Sequence, residues 1–167
     1  MKNGLFYFFS HLMSPCVISL FLVTVCAGSA STSAGGLKQE EAQVVQTVHE
    51  QVNAFRASKG LKPLVLDLFL NQIAAQHSAD MANKVVSLGH SGFSSRIAKI
   101  QNKFSTRAVA ENVGSNLGYA DPAETVVREW IGSKSHRNNI IGKFSRTGIG
   151  VAKNKKGQYF FTQIFLE

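Results

Sequence analysis

The sequence contains little cysteine, and the placement of its two cysteines limits the chemistry of the mature protein. Cys16 and Cys26 both lie in an apolar N-terminal stretch, and no other position of the 167-residue chain is a cysteine. If this stretch is removed on export, the mature chain has neither disulfides nor a thiol nucleophile. Its stability must then come from the hydrophobic core, which a domain of roughly 125 to 130 residues is large enough to form.

The N-terminal stretch itself has the three parts of a secretory signal peptide. It starts with Lys2, continues with an apolar centre from Leu5 to Ala27, and ends in small residues up to Ala30. We predict a signal peptide over residues 1–30, a flexible linker over 31–39 and a folded domain over 40–167. A retained anchor is the alternative, because an apolar run of about 20 residues can span a bilayer.

Acidic residues are scarce relative to basic ones. The chain has 18 Lys and Arg against 10 Asp and Glu, and residues 1–30 contain Lys2 but no acid, so 17 minus 10 leaves a mature charge of about +7. On a secreted or cell-envelope protein this charge favours anionic envelope polymers or lipid head groups. The sequence has no basic stripe interleaved with aromatic residues, which argues against nucleic-acid binding.

Four segments have the apolar spacing and end signals of helices. The predicted ranges are 40–59, a helix capped by Asp67 that reaches about Val86, 93–104, and a helix capped by Asp121 that cannot continue far past Ser133. His77 falls on the apolar face of the second helix and is expected to be a hydrogen-bonded core histidine. His136 is expected in the turn that follows the fourth helix.

The C-terminal third has the pattern of a β-hairpin. Residues 147–153 carry the apolar residues Ile149 and Val151 at alternating positions, and residues 154–157 (NKKG) are typical of a turn. Residues 158–165 form a strand that is apolar on both faces. Such a strand belongs in the middle of a covered sheet. Residues 108–115 form another strand-like segment, so we predict an α+β fold, a three-layer α-β-α sandwich with a small central antiparallel sheet.

Three polar residues lack a simple packing explanation. His90 lies in the glycine-flanked loop SLGHSGF, Glu111 lies among apolar neighbours in the strand-like segment, and His136 lies in WIGSKSHRNNII. Glu111 is either on a solvated face or buried with a partner, because an unpaired buried charge is very costly. Two imidazoles and a carboxylate could hold zinc and a water, but zinc motifs that are reliable from sequence keep ligands closer together.

Six ordered blocks carry a family resemblance. They are HSADMA (77–82), HSGF (90–93), ENV (111–113), WIGSKSHRNNI (130–140), GIGVA (148–152) and YFFTQIF (159–165). Together they resemble the CAP or SCP superfamily of cysteine-rich secretory proteins, venom allergens and plant pathogenesis-related 1 proteins, and most of all its disulfide-free bacterial branch. The resemblance covers about residues 42–166.

The resemblance implies an α-β-α sandwich with a surface cleft that holds two histidines and two acids, which bind divalent metal in some members. His90 matches the first histidine and Glu111 the glutamate of the ENV block. Ser133 stands near the place of the second acid, and the FFTQ block lacks the second histidine, for which His136 is the candidate substitute. The expected cleft residues are therefore His90, Glu111, Asn112, Ser133 and His136, with a weakly held zinc on His90, Glu111 and His136.

Two functions follow as hypotheses. The first is an exported, monomeric binding module whose cleft takes a divalent metal or a small amphiphilic ligand, with membrane contact only through an uncleaved leader. The alternative is a hydrolase, with either a zinc-bound water or Ser133 or Ser135 activated by His136 and oriented by Glu111. No serine stands in a nucleophile-elbow motif, which favours binding over catalysis.

Overall fold

The computed structural model describes residues 34–106 and 108–167, which contain five helices and four strands. In chain order these are α1 (Ala34–Ser58), β1 (Val65–Leu66), α2 (Leu68–Ala82), α3 (Phe93–Lys103), β2 (Val109–Asn116), α4 (Pro122–Gly132), α5 (Lys134–Ile140), β3 (Arg146–Lys153) and β4 (Tyr159–Leu166). The predicted signal peptide lies outside these residues. Among the described helices, none combines the length and the apolarity that crossing a membrane requires.

The four strands form one sheet in the order β1-β3-β4-β2. Strand β4 pairs antiparallel with both β3 and β2, and all eight of its residues are buried. This confirms the predicted hairpin and its central strand. The short strand β1 pairs parallel with β3 through Val65 and Leu66, so the sheet is mixed rather than wholly antiparallel as predicted.

Helices cover both faces of the sheet and confirm the three-layer sandwich. Helices α2 and α3 share one face with Ile164 and Leu166, whereas α1, α4 and α5 share the other with Phe161 and Phe165. Helix α2 lies directly on β3, because a Cβ on Gly148 or Gly150 would stand 2.2 or 2.1 Å from α2 backbone atoms. Glycine at both positions permits this close approach.

The predicted helix starts are confirmed where a cap defines them. The Asp67 carboxylate accepts from the backbone N–H of Phe69 and Leu70, and the Asp121 carboxylate accepts from that of Glu124. Other ends differ from the prediction. Helix α1 begins at Ala34, so residues 34–39 of the predicted linker are helical, and α2 ends at Ala82 rather than near Val86.

The prediction for His136 was wrong, because this residue lies inside the short helix α5 rather than in a turn. The chain leaves helical geometry at Ser133, and the Arg137 N–H then donates to the Ser133 carbonyl at 2.9 Å and closes a new turn. Ile140 is fully buried at the other end of α5. Burial of this one apolar residue anchors a segment whose polar sequence suggested a turn.

Candidate functional site

The segment from Trp130 to Ile140 covers the outer edge of β2, which is an edge strand of the sheet. Trp130 Nε1 donates to the Val113 carbonyl at 3.2 Å, and Asn139 Nδ2 donates to the Glu111 carbonyl at 3.3 Å. An edge strand leaves such groups without a neighbouring strand. Side chains of this segment therefore replace a missing strand and bring α5 beside β2.

Asn112 fixes the position of α5. Its Nδ2 donates to the His136 carbonyl at 3.1 Å, and its Oδ1 accepts from Asn139 Nδ2 at 2.9 Å. The Asn112 side chain is fully buried and uses both polar atoms within the protein. Asn112 was expected among the cleft residues that contact a ligand. In the structure its side chain instead positions the backbone that carries His136.

Glu111 is buried with a partner, which decides between the two alternatives left open by the sequence. Its side chain has 0% exposure. Oε1 accepts from Arg96 Nη2 at 2.7 Å and Oε2 accepts from Arg96 Nε at 2.7 Å, so one guanidinium holds both oxygens. Such two-point pairs are strong and geometrically specific. Arg96 from α3 therefore cancels the charge of Glu111.

His90 stands on the solvent side of this pair. Its Nδ1 lies 2.9 Å from Glu111 Oε1, and its side chain is 51% exposed. An ionised carboxylate can only accept hydrogen bonds, so Nδ1 carries the hydrogen and donates it to Glu111. His90 Nε2 is thereby left to meet a ligand, as an acceptor in the neutral ring and as a donor in the charged ring.

His77 holds the loop that carries His90. It is buried, and its Nε2 donates to the Gly89 carbonyl at 2.8 Å. The predicted hydrogen-bonded core histidine is confirmed. Arg96 Nη1 also donates to the Ser91 carbonyl at 2.8 Å, so His90 is flanked on both sides by fixed backbone.

His136 reaches the same site from the opposite layer of the sandwich. It is half-buried. Burial lowers the pKa of His136 below its usual value, and the charge of nearby His90 lowers that pKa further. His136 therefore lies near His90 at the edge of β2, where the structure brings together three of the predicted residues, His90, Glu111 and His136.

The arrangement that the hydrolase hypothesis requires, a serine activated by His136 and oriented by Glu111, is not formed among the described residues. Ser133 Oγ and Ser135 Oγ lie 3.1 Å apart and hydrogen-bond to each other. Glu111 contacts His90 rather than His136. A serine nucleophile needs a base that is itself oriented by a third group, and His136 has no such partner in the described part of the chain.

The donor set does not fit the expected zinc site. Structural and catalytic zinc ions take three or four protein ligands, and within residues 34–106 and 108–167 no group of three His, Cys, Asp or Glu side chains is placed to hold a metal. Both Glu111 oxygens are held by Arg96, whose positive charge opposes a cation nearby. Zinc binding stays a prediction, and the observed arrangement argues against it.

Sequence reasoning missed Arg96 and Asn139. Arg96 lies on a helix of mixed composition, and Asn139 follows His136 in the segment whose sequence predicts a turn. A buried carboxylate requires a cationic partner, so Glu111 gave a reason to search for an arginine. Nothing in the sequence indicated which arginine meets it.

Comparisons with known proteins agree with this architecture. The profile of the Cysteine-rich secretory protein family, CAP, matches residues 49–165. The uncharacterized protein YkwD of Bacillus subtilis (strain 168) is 33% identical over 110 residues, covering 64% of this chain and 42% of that protein. The chain thus spans less than half the length of this relative.

Two solved structures share the fold. An extracellular protein of Bacillus anthracis str. Ames that contains an SCP domain superposes with a TM-score of 0.67 at 23% identity, covering 83% of this chain and 45% of that one. An outer surface protein from Borrelia burgdorferi superposes with a TM-score of 0.65 at 18% identity, covering 75% of this chain and 92% of that one.

Proposed function

Since this chain belongs to the Cysteine-rich secretory protein (CAP) family, we propose that it is an exported binding module that takes a small ligand between His90 and His136. The export part of this proposal is supported by the apolar N-terminal stretch. It is also supported by the descriptions of the two structural neighbours as extracellular and outer surface proteins.

The cancellation of the Glu111 charge by Arg96 is the observation that carries the ligand proposal. Because the carboxylate and guanidinium neutralise each other, the two imidazoles set the charge that a ligand meets. That charge is close to zero when both rings are neutral and positive when they are protonated. The site therefore favours a neutral or anionic ligand over a cation.

A small amphiphile with an anionic head group is the ligand class that we propose. The head group would accept a hydrogen bond from Nε2 of a protonated His90, whose other nitrogen is already oriented by Glu111. Charged hydrogen bonds of this kind contribute more than neutral ones. The positive charge of the whole chain, formally +8, also attracts anions to its surface.

Octanoate and the uncharged octanol separate head-group recognition from general apolar binding. We expect calorimetry on the full chain to show tighter binding of octanoate than of octanol. His90→Gln should weaken octanoate binding roughly tenfold by removing the charged donor. His49→Gln is the matched control, because His49 lies on α1 and contacts the Leu64 carbonyl.

Octanoate binding that is no tighter than octanol binding, or that is unchanged in both His90→Gln and His136→Gln, would overturn this proposal. Zinc is the second probe. Zinc binding at micromolar concentration that disappears in His90→Ala, with the fold retained, would show that the metal hypothesis is correct despite Arg96.

Hydrolysis is the alternative function, and one contact favours it. Glu111 orients His90 with Nε2 toward solvent, which is the arrangement that a general base requires. We expect no turnover of casein, peptidoglycan or ester substrates, because no hydroxyl or thiol nucleophile contacts His90 within the described residues. Turnover that disappears in His90→Ala would replace binding by catalysis as the function.

A further inference from the structure

Three loops meet at one end of the sheet, around the β3–β4 turn. Asn154, Lys155 and Lys156 of this turn line a small cavity together with Lys84, which follows α2. On its other side, a Cβ on Gly157 would lie 3.9 Å from Leu117 Cδ1, so the β2–α4 loop also adjoins the turn. We define the turn-end surface by six residues of these loops: Lys84, Val85, Leu117, Tyr119, Lys155 and Lys156.

The lysines of this surface have no carboxylate partner among the described residues. Lys84, Lys155 and Lys156 are exposed and form no ion pair within residues 34–106 and 108–167. Their neighbour Lys153 differs, because its Nζ donates to Glu40 at 2.9 Å.

The acids at this end are used within the protein. The Glu40 carboxylate pairs with Lys153 and Tyr159, and the Glu41 carboxylate accepts from the Lys153 backbone N–H. The Asp121 carboxylate caps α4, the Asp80 carboxylate accepts from Gln76 Nε2, and Glu124 pairs with Arg128. A cationic rim therefore remains at the turn end, formed by the three unpaired lysines.

Apolar side chains project from the same loops. Val85 is 70% exposed, Leu117 is 56% exposed and Tyr119 is 53% exposed. Single exposed apolar residues are ordinary on soluble proteins. Three of them on the loops that adjoin the lysine-bearing turn form the combination that peripheral proteins use at lipid interfaces, where apolar groups enter the bilayer boundary and cations meet head groups.

The course of α1 connects this end to the N-terminal part of the chain. Glu40 contacts Lys153 and Tyr159 at the turn end, whereas Arg56 contacts Phe144 at the opposite end of α1. Ala34, the first residue of α1, therefore lies toward the turn end.

We propose that the turn-end surface docks on an anionic lipid bilayer. The lysines supply attraction to anionic head groups, and Leu117, Tyr119 and Val85 supply apolar contact at the interface. A soluble polyanion would use the lysines but would gain little from the apolar side chains. The proposal does not depend on a ligand in the cleft, because the two regions are far apart. Glu111 lies opposite Ile164 in the sheet, near the end of β4 that is remote from the turn.

Local fluorescence probes in the full chain test this docking, and charge reversal of lysines separates the turn-end surface from other membrane contacts. Leu117→Trp places an indole on the turn-end surface. Leu68→Trp places one at an 80% exposed position beside Asp67, whose N–H donates to Thr147 at the other end of the sheet. Trp130 is 1% exposed and gives the same background in both variants. The probe membrane is phosphatidylcholine with phosphatidylglycerol and brominated lipid.

We expect strong bromine quenching at position 117 and little at position 68. Added to Leu117→Trp, the pair Lys155→Glu and Lys156→Glu should raise the anionic lipid needed for half-maximal quenching at least about tenfold. The control pair Lys59→Glu and Lys62→Glu changes the net charge equally on exposed residues elsewhere and should leave quenching nearly unchanged.

Equal quenching at positions 117 and 68, or none at either, would overturn the proposal. So would equal effects of the two lysine pairs, because attraction would then follow net charge alone. A third result also counts against it: binding of soluble polyphosphate that needs Lys155 and Lys156, without quenching at position 117, would make the turn end a polyanion site.

Discussion

Replacing Arg96 by methionine tests the pairing on which the charge of the site depends. Arg96→Met keeps an apolar stem of similar length but removes the guanidinium that donates to both oxygens of Glu111. Glu111 then retains His90 as its hydrogen-bond partner. With 0% side-chain exposure, the carboxylate cannot regain water in the folded state.

The expected loss is large because one member of a buried ion pair is left behind. Removing one partner of such a pair costs about 3 to 5 kcal/mol of unfolding free energy. Glu111 keeps its hydrogen bond from His90, so we expect a loss at the lower end of this range, about 3 kcal/mol. With a urea m-value of about 1 to 3 kcal/mol/M, the unfolding midpoint falls by roughly 1 to 3 M.

Urea unfolding at pH 7 measures this loss, and the chain offers a matched control. Arg128 and Glu124 form a pair 3.6 Å apart with 62% and 61% exposed side chains, so Arg128→Met should cost less than about 0.5 kcal/mol. The double variant Arg96→Met/Glu111→Leu should recover most of the loss, because apolar residues replace a buried ion pair well.

An Arg96→Met variant as stable as Arg128→Met would refute the buried pairing and the neutral site derived from it. A double variant less stable than the single one would show that the hydrogen bond from His90 to Glu111, rather than the charge balance, dominates. Zinc affinity gained by Arg96→Met alone would show that the guanidinium is what keeps a cation from the site.

Three further predictions concern the scaffold, and urea unfolding checks each. Gly150→Ala should lower the free energy of unfolding by more than about 2 kcal/mol, because the added Cβ would lie 2.1 Å from α2 backbone. Gly132→Ala is the control and should be neutral or stabilising, because its Cβ would meet nothing within 4 Å. Equal effects would contradict the close approach of α2 to β3. Arg56→Lys should cost about 2 to 4 kcal/mol, since lysine cannot serve the four carbonyls that this buried guanidinium contacts, and a loss below about 0.5 kcal/mol would contradict this. Hydrogen bonds from Tyr159 and then Lys153 lower the pKa of Glu40 below its usual value, so its contribution to stability is present above that usual value and is lost as the pH falls through the lowered pKa. Glu40→Gln should flatten this acid-side loss, and an unchanged pH profile would exclude the contribution.

Local signals predicted the parts of the fold that depend on local chemistry. Asp67 and Asp121 cap their helices because a carboxylate reaches N–H groups two or three residues ahead, whatever the rest of the chain does. The β3–β4 hairpin follows from its turn residues and from a strand that is apolar on both faces. The parallel strand β1 was not predicted, because two residues carry too little pattern.

The helical state of His136 shows where local reasoning ends. Seven mostly polar residues have little intrinsic reason to form a helix. They do so because Ile140 is buried and because Asn112 binds the His136 carbonyl, and both contacts come from parts of the chain that the local sequence does not reveal.

By itself the sequence determined the family, the α-β-α layers and the identity of the polar residues His90, Glu111 and His136, because blocks, periodicities and caps are written in neighbouring positions. Only the tertiary structure decided what those residues can do. It placed Arg96 from α3 against Glu111 from β2, residues separated by 15 positions, and thereby changed a carboxylate expected to bind metal into one half of an internal ion pair. The net charge of a site depends on all the ionised side chains that the fold brings within a few ångströms of it.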